Sequence, residues 1–239
     1  NPDFCPSLAL PVLKVTDVYE QNLEFMKKLG PNLVWMKETA FLCQKSCPRV
    51  ELFIPIQCYT LDQFMNYVEP FLMEIHFHGL SLPTRNVGPA GITLFFIRFH
   101  QIGVRKVHLL SVANFTELAL AAYFARNVFD WCSVDATTWR LAADIQKFLD
   151  PNDLHHIYVG DNAVFRDEER PSCDCPWCSG ITFARIKNMP MSERTAFLRC
   201  HNFHVIQKAG RDFYENAGDL VTFDKYLRNR NQKRGKKVD

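Results

Sequence analysis

The 239-residue chain is 47% apolar and 23% charged, enough to bury a core and too apolar for a disordered protein. Its 28 basic and 26 acidic residues leave a net charge of +2, so overall charge gives no reason to expect a nucleic-acid partner. Nine cysteines, three of them crowded between positions 173 and 178, suit a metal ion in a reducing compartment better than a disulfide framework.

Apolar, β-branched runs alternate with segments of helical period. Strands are expected at Ser7 to Pro11, Leu52 to Gln57, Leu72 to His78, Lys106 to Ser111 and Trp131 to Asp135. Helices are expected at Thr16 to Leu29, Leu61 to Phe71, Pro89 to Ile102 and Asn114 to Asn127, with Thr16 and Asn114 as N-caps and Gly30 and Gly103 as stops. This alternation predicts the α/β class with parallel strands. Neither a G-x-G-x-x-G nor a P-loop occurs, so a TIM-type (β/α)8 barrel is preferred over a nucleotide-binding sheet. The first residue is not Met and reads as the middle of a domain, so the N-terminal part of the barrel is expected to be absent from this chain. After residue 150 the texture turns polar, which divides the chain into a barrel portion, 1–150, and a metal-binding subdomain, 151–239. A helical segment from Ser192 to Asn216 and a short last helix precede a basic end, Arg228 to Lys237, suited to phosphate or to solvent. No run of about 18 apolar residues and no export signal is seen, so a soluble cytoplasmic protein without a membrane partner is expected.

Two constellations carry chemistry. Cys173, Cys175 and Cys178 form C-x-C-x-x-C, and His201 follows 23 residues later in a helical segment. Three thiolates and one imidazole complete a tetrahedral Zn²⁺ shell with no position left for water, so the ion is expected to be structural. Cys200 and His204 are rival ligands. Separately, Gln57, His76 and His78, Ser111 and Asp135 stand at the ends of expected strands, where a barrel would gather them at one mouth. Each also has a plain reading: Asp135 as a helix cap, Gly79 as a turn, the histidines as hydrogen-bonded rim residues. Asp130 competes with Asp135 as the important carboxylate.

These residues resemble the tRNA-guanine transglycosylase superfamily. The Cys173, Cys175, Cys178 and His201-Asn202 pattern is similar to its zinc signature; Asp3 to Cys5 to its Asp-x-Cys strand; Ile56 to Cys58 to its Gln-Gly-Gly turn; His78 to Ser81 to its Gly-Gly-Leu-Ala segment; and Leu109 to Phe115 to its Leu-Met-Gly-Val-Gly turn. The resemblance implies base exchange. A carboxylate attacks C1′ of a guanosine nucleotide, guanine leaves, and a 7-deazaguanine replaces it. Asp135 is matched to that nucleophile because it closes its strand and precedes the cluster by 38 residues, while Phe129-Asp130 matches the family's Phe-Asp pair by letter. Asp3 would read the base edge, Gln57, Gly79, Leu80 and Ser81 would complete the pocket, and Cys5 would line it. The family's second acid lies in an Asp-Ser-Gly-Gly-Phe-Gln segment that this chain does not contain. Ser133 to Trp139 and Gly79 to Thr84 depart from the tRNA enzymes, so the resemblance leans to the branch that modifies DNA, with tRNA as the alternative substrate. It also implies a homodimer or a heteromer with another family member, and it leaves room for a non-catalytic nucleic-acid-binding subunit. A zinc hydrolase is the third reading, weakened by the closed site.

Overall fold

The computed structural model describes residues 4–6, 9–13, 15–112 and 114–232, with the backbone alone at 4–6, 86, 231 and 232. It forms two compact units, Asn1–Asp135 and Ala136–Asp239. The boundary falls ahead of the 150/151 change in texture. Residues 136–150 belong with the second unit because a helix and a strand there pack onto its long helix.

In the first unit, β1 (Phe4–Pro6) leads to α1 (Val18–Ser46) and β2 (Glu51–Pro55). The helix starts one residue later than expected, since Asp17 and not Thr16 caps it, accepting from the Glu20 amide at 2.9 Å. Gly30 does not stop it. The chain runs through Gly30-Pro31 because Phe25, Asn32, Met36 and Ala40 are buried along one face, and Asn32 exchanges hydrogen bonds of 2.7 and 3.2 Å with the backbone of Leu10. Tertiary packing outweighs two local helix breakers.

Next come α2 (Leu61–Gln63), a π turn (Phe64–Val68) and α3 (Glu69–Leu72). Pro70 cannot donate to the helical ladder, and the wide π turn stands directly before it. The strand expected at Leu72 to His78 is not there. Leu72 ends α3, and β3 is Gly79–Pro83. A Cβ at Gly79 would run into the Phe53 ring and come 2.7 Å from the Lys106 carbonyl oxygen, so this glycine serves close strand packing and not a turn. A single 3₁₀ turn leads into α4 (Gly88–Gln101), β4 (Lys106–Leu110), α5 (Phe115–Asn127) and β5 (Trp131–Val134). Gly103 ends α4 at φ 83°, and Asn114 caps α5 through the Glu117 amide at 3.0 Å, both as expected. The first strand lies earlier than Ser7 to Pro11, of which 9–11 are not strand and 7 and 8 lie outside the described residues.

All five strands are parallel and in sequential order, β1-β2-β3-β4-β5. One face carries Leu52, Ile54, Leu80, Leu82, Val107 and Leu109, each at most 1% exposed. The other alternates with it and carries Phe53, Gly79, Ser81, Lys106, His108, Trp131 and Ser133. The sheet curls toward this second face. Phe53 of β2 and Trp131 of β5 meet edge-on with centroids 5.2 Å apart, whereas three flat inter-strand steps would separate their strands by roughly 14 Å. Helices α4 and α5 bury Ile92, Phe95, Phe96, Phe99 and Phe124. Burying each aromatic side chain stabilises the unit by roughly 2 kcal/mol.

The second unit comprises α6 (Thr138–Asp144), the antiparallel pair β6 (Lys147–Leu149) and β7 (His156–Tyr158), α7 (Phe183–Lys187), α8 (Met191–Asn216) and α9 (Leu220–Gln232). Its core joins Phe148, Val159, Cys175, Cys178, Phe183, Ile186 and Leu198. Part of the expected basic tail is committed to structure: Arg230 donates to the carbonyls of Asn152 and Pro151 at 2.7 and 2.6 Å, and Arg228 pairs with Asp224 at 2.7 Å. Residues 233–237 lie outside the described residues. Among the described residues no helix is long and apolar enough to cross a membrane.

Candidate metal centre and candidate active site

In the second unit, Cys173, Cys175, Cys178 and His201 place one ligand atom each within 4.8 Å of one another, and the last three residues are buried. The sulfurs lie 3.7, 3.4 and 3.3 Å from His201 Nδ1, separations that belong to ligands around one tetrahedral ion. Local folding explains the convergence. Short turns, Cys178 N–H to Cys175 O at 3.0 Å and Ile181 N–H to Cys178 O at 3.3 Å, bend the cysteine loop over α8.

His201 is fully buried, and its Nε2 lies 2.9 Å from the Leu149 carbonyl. Donation there puts the proton on Nε2 and leaves the Nδ1 lone pair facing the sulfurs. The ring is stacked on Phe148 at 3.7 Å, which fixes its plane. Asn202 holds the same strand from the next position. Its Oδ1 accepts from Leu149 N at 2.9 Å and its Nδ2 donates to the Trp139 and Lys147 carbonyls at 3.1 and 3.0 Å.

The thiols alone cannot all ionise. A hydrogen bond from Cys178 brings Cys173 down to about 4 against the cost of burial, with His201 assisting. Burial, with the Cys173 charge beside it, pushes Cys175 up, and the Cys173 hydrogen bond, with burial, pushes Cys178 up. A cation removes that conflict, and the donor set fits a metal ion such as zinc. Of the rival ligands, Cys200 is exposed and His204 turns its ring to Trp177 at 6.0 Å.

In the first unit, Asp135 lies just past the carboxyl end of β5. Its amide donates to Leu109 O at 3.0 Å and its carbonyl accepts from Val112 N at 2.9 Å, which locks the backbone to the loop after β4. The carboxylate, half exposed, takes the Ser111 N–H on Oδ1. Ser111 adopts φ 63°, a left-handed conformation that costs a non-glycine residue about 1 kcal/mol, and this aims its N–H at the acid. Asp135 therefore does not cap α6, whose N-cap Thr137 makes no side-chain cap bond. Asp130 stands at the other end of β5, bonded through its amide to Arg105 O at 3.0 Å.

Four residues connected to Asp135 directly or through Ser111 and His108, namely His108, Ser133, Thr84 and Glu117, are not among the expected site residues. His108 of β4 is 8% exposed, with Nδ1 2.7 Å from Ser133 Oγ and Nε2 3.9 Å from Asp135 Oδ2. Thr84, after β3, donates to the Ser111 carbonyl at 3.0 Å, with the buried Glu117 carboxylate 3.4 Å away. The alternation in Lys106-Val107-His108-Leu109 marks His108 as opposite to the apolar face; its partner Ser133 depends on the register of two strands.

The other expected site residues are dispersed. Asp3 lies outside the described residues, and Cys5 is on β1 in register with Leu52. Gln57 follows β2 and accepts from Val12 N at 3.3 Å. Gly79, Leu80 and Ser81 lie within β3 and not beyond its carboxyl end. His78 accepts from Leu52 N at 3.0 Å at the amino ends of the strands, with the His76 ring 4.9 Å away, so this pair is on the opposite edge from Asp135. Burial, then His76, keeps His78 below its usual pKa.

The fold and sites define a class: a sequential parallel α/β sheet with a carboxylate at its carboxyl edge, joined in sequence to a unit built round a closed Cys₃His cage. Comparison with known proteins adds to this. The chain is 30% identical over 104 residues to a tRNA-guanine(15) transglycosylase of Thermococcus onnurineus, and 29% and 28% identical over the same length to those of Pyrococcus furiosus and Thermococcus kodakarensis. The matches take in 44% of this chain and span 16% of the relatives' length. No family model matches the chain. The similarity supports the tRNA-guanine transglycosylase superfamily.

Proposed function

We propose that the first unit is part of a (β/α)8 barrel and that the protein exchanges guanine in a polynucleotide for a 7-deazaguanine through an aspartyl glycosyl-enzyme. The sequential parallel order and the Phe53–Trp131 contact across two intervening strands support the barrel. The observation that carries the chemistry is the Asp135 carboxylate, half exposed at the carboxyl edge and oriented by the Ser111 amide. In this reading one Asp135 oxygen bonds to C1′ as the C1′–N9 bond breaks, and the electron pair leaves with guanine. The incoming base then displaces the carboxylate. The transition state is oxocarbenium-like, so an anion beneath the sugar stabilises it, and covalent capture divides one hard displacement into two. The target base must first leave the stack. Base-edge roles for Asp3, Cys5 and Gln57 belong to the same reading; Gly79 and Leu80, packed within β3, have no place in it.

The cage residues would hold Zn²⁺, whose contribution is to tie the cysteine loop to α8; no reaction step passes through it. The departures at Ser133 to Trp139 and Gly79 to Thr84 favour DNA. The relatives' names favour tRNA as a second reading. Assembly as a homodimer or family heteromer accompanies either. The test is incorporation of labelled guanine into DNA and into tRNA by the full-length protein. Asp135→Asn should abolish it in whichever substrate is used, and retained exchange would refute the assignment. Salt-dependent binding with no exchange by the wild type would instead point to a non-catalytic subunit.

A further inference from the structure

We propose that His108 is a positioning residue that orients the Asp135 carboxylate, as the middle member of a polar row crossing β3, β4 and β5; this rests on Asp135 being the nucleophile. The row follows from register. Ser81 pairs with His108 and His108 with Ser133, so all three side chains stand side by side on the face opposite the apolar one. Asp135 continues that face two residues beyond Ser133. A buried polar row is costly unless it is used. Ser81 is 1% exposed and its hydroxyl has no hydrogen-bond partner among the described residues, while His108 is 8% exposed, so the level is kept polar at a cost to packing.

The geometry around His108 selects one tautomer. Donation of the Ser133 hydroxyl to Nδ1 at 2.7 Å places the ring proton on Nε2, the nitrogen that faces Asp135 Oδ2. The other tautomer would set a lone pair against a carboxylate. Ser111 N–H holds Oδ1, so the acid is gripped from β4 by one backbone and one side-chain dipole. At 3.9 Å the second contact is too long for a hydrogen bond, so it orients Oδ2 without covering it. Burial keeps His108 below its usual pKa, with the Asp135 charge opposing it. The other charge on its own strand face, Lys106, is paired with Glu51 of β2. The imidazole is thus neutral near pH 7. Its protonation would convert an orienting dipole into a counter-ion that lowers the nucleophilicity of the acid.

The test compares His108→Gln, which retains an N–H where Nε2 stood, with His108→Leu in the full-length protein. His108→Leu should lower kcat by about a hundredfold, the order expected for a misplaced reacting group, with KM little changed. His108→Gln should recover most of that loss and lack the fall in kcat that histidine protonation causes at acid pH. Equal damage in both variants, or wild-type kcat in His108→Leu, would overturn the proposal. A readout independent of activity and of variant folding at position 108 is the NMR titration of His108 in Asp135→Asn. Its pKa should fall further, because the Asp135 charge that raises it is gone; an unchanged titration would also overturn the proposal. Full exchange by Asp135→Asn would refute the nucleophile assignment itself, whatever His108 does.

Discussion

The metal cage and the strand-edge carboxylate are built in opposite ways. The cage draws three donors from six consecutive residues and one from a helix, buries all but Cys173, and has its histidine backed by Leu149 and Phe148 and the neighbouring strand held by Asn202. Asp135 is half exposed, is held by one amide from a strained residue, and gains its other neighbours only through strand pairing. Donor spacing closes the cage locally, whereas the half-exposed carboxylate takes its orientation from distant segments.

Metal removal tests that contrast most severely. Chelation, or Cys175→Ser, should unfold the second unit, since structural zinc supplies on the order of 10 kcal/mol to such folds. Hydrogen exchange should rise along β6 and α8 while β2 to β4 keep their protection; equal loss in both units would break the comparison. Asn202→Ala removes three hydrogen bonds to backbone groups, one buried and two part-buried, and should cost about 2 to 3 kcal/mol by thermal unfolding of the metal-loaded protein. In the first unit, Gly79→Ala drives a methyl into the Phe53 ring and the Lys106 carbonyl, and should cost about 1 to 3 kcal/mol by denaturant titration.

The smallest expected effect is of pH. Burial holds His78 and His108 below their usual pKa. Folding therefore favours their neutral forms: their contribution is complete above about pH 6.5, the unfolded value, and declines as pH falls through that value toward the lower folded one. Hydrogen-exchange protection along β4, taken relative to the intrinsic exchange rate at each pH, should fall over that acid range, and His108→Gln should flatten the dependence.

Much of this was readable in advance. The α/β alternation, the Asn114 cap, the Gly103 stop and the Cys₃His cluster are local signals, carried by periodicity, φ preference and donor spacing. What the sequence misplaced depends on distant packing. Gly30-Pro31 marks a helix end, yet the buried Asn32, Met36 and Ala40 carry the helix on. Leu72 to His78 alternates like a strand, but Gly79 is the residue that fits against Phe53, so β3 begins there and the histidines move to the opposite edge. His108 was hidden among apolar letters, because its meaning comes from Ser133 and Asp135 on another strand.

The most direct test is to quench full-length protein during turnover with guanine-containing DNA or tRNA and map any covalent nucleoside adduct by peptide mass spectrometry. The adduct should sit on Asp135 and be absent from Asp135→Asn. An adduct on Asp130, or exchange proceeding with no adduct on Asp135, would contradict the account.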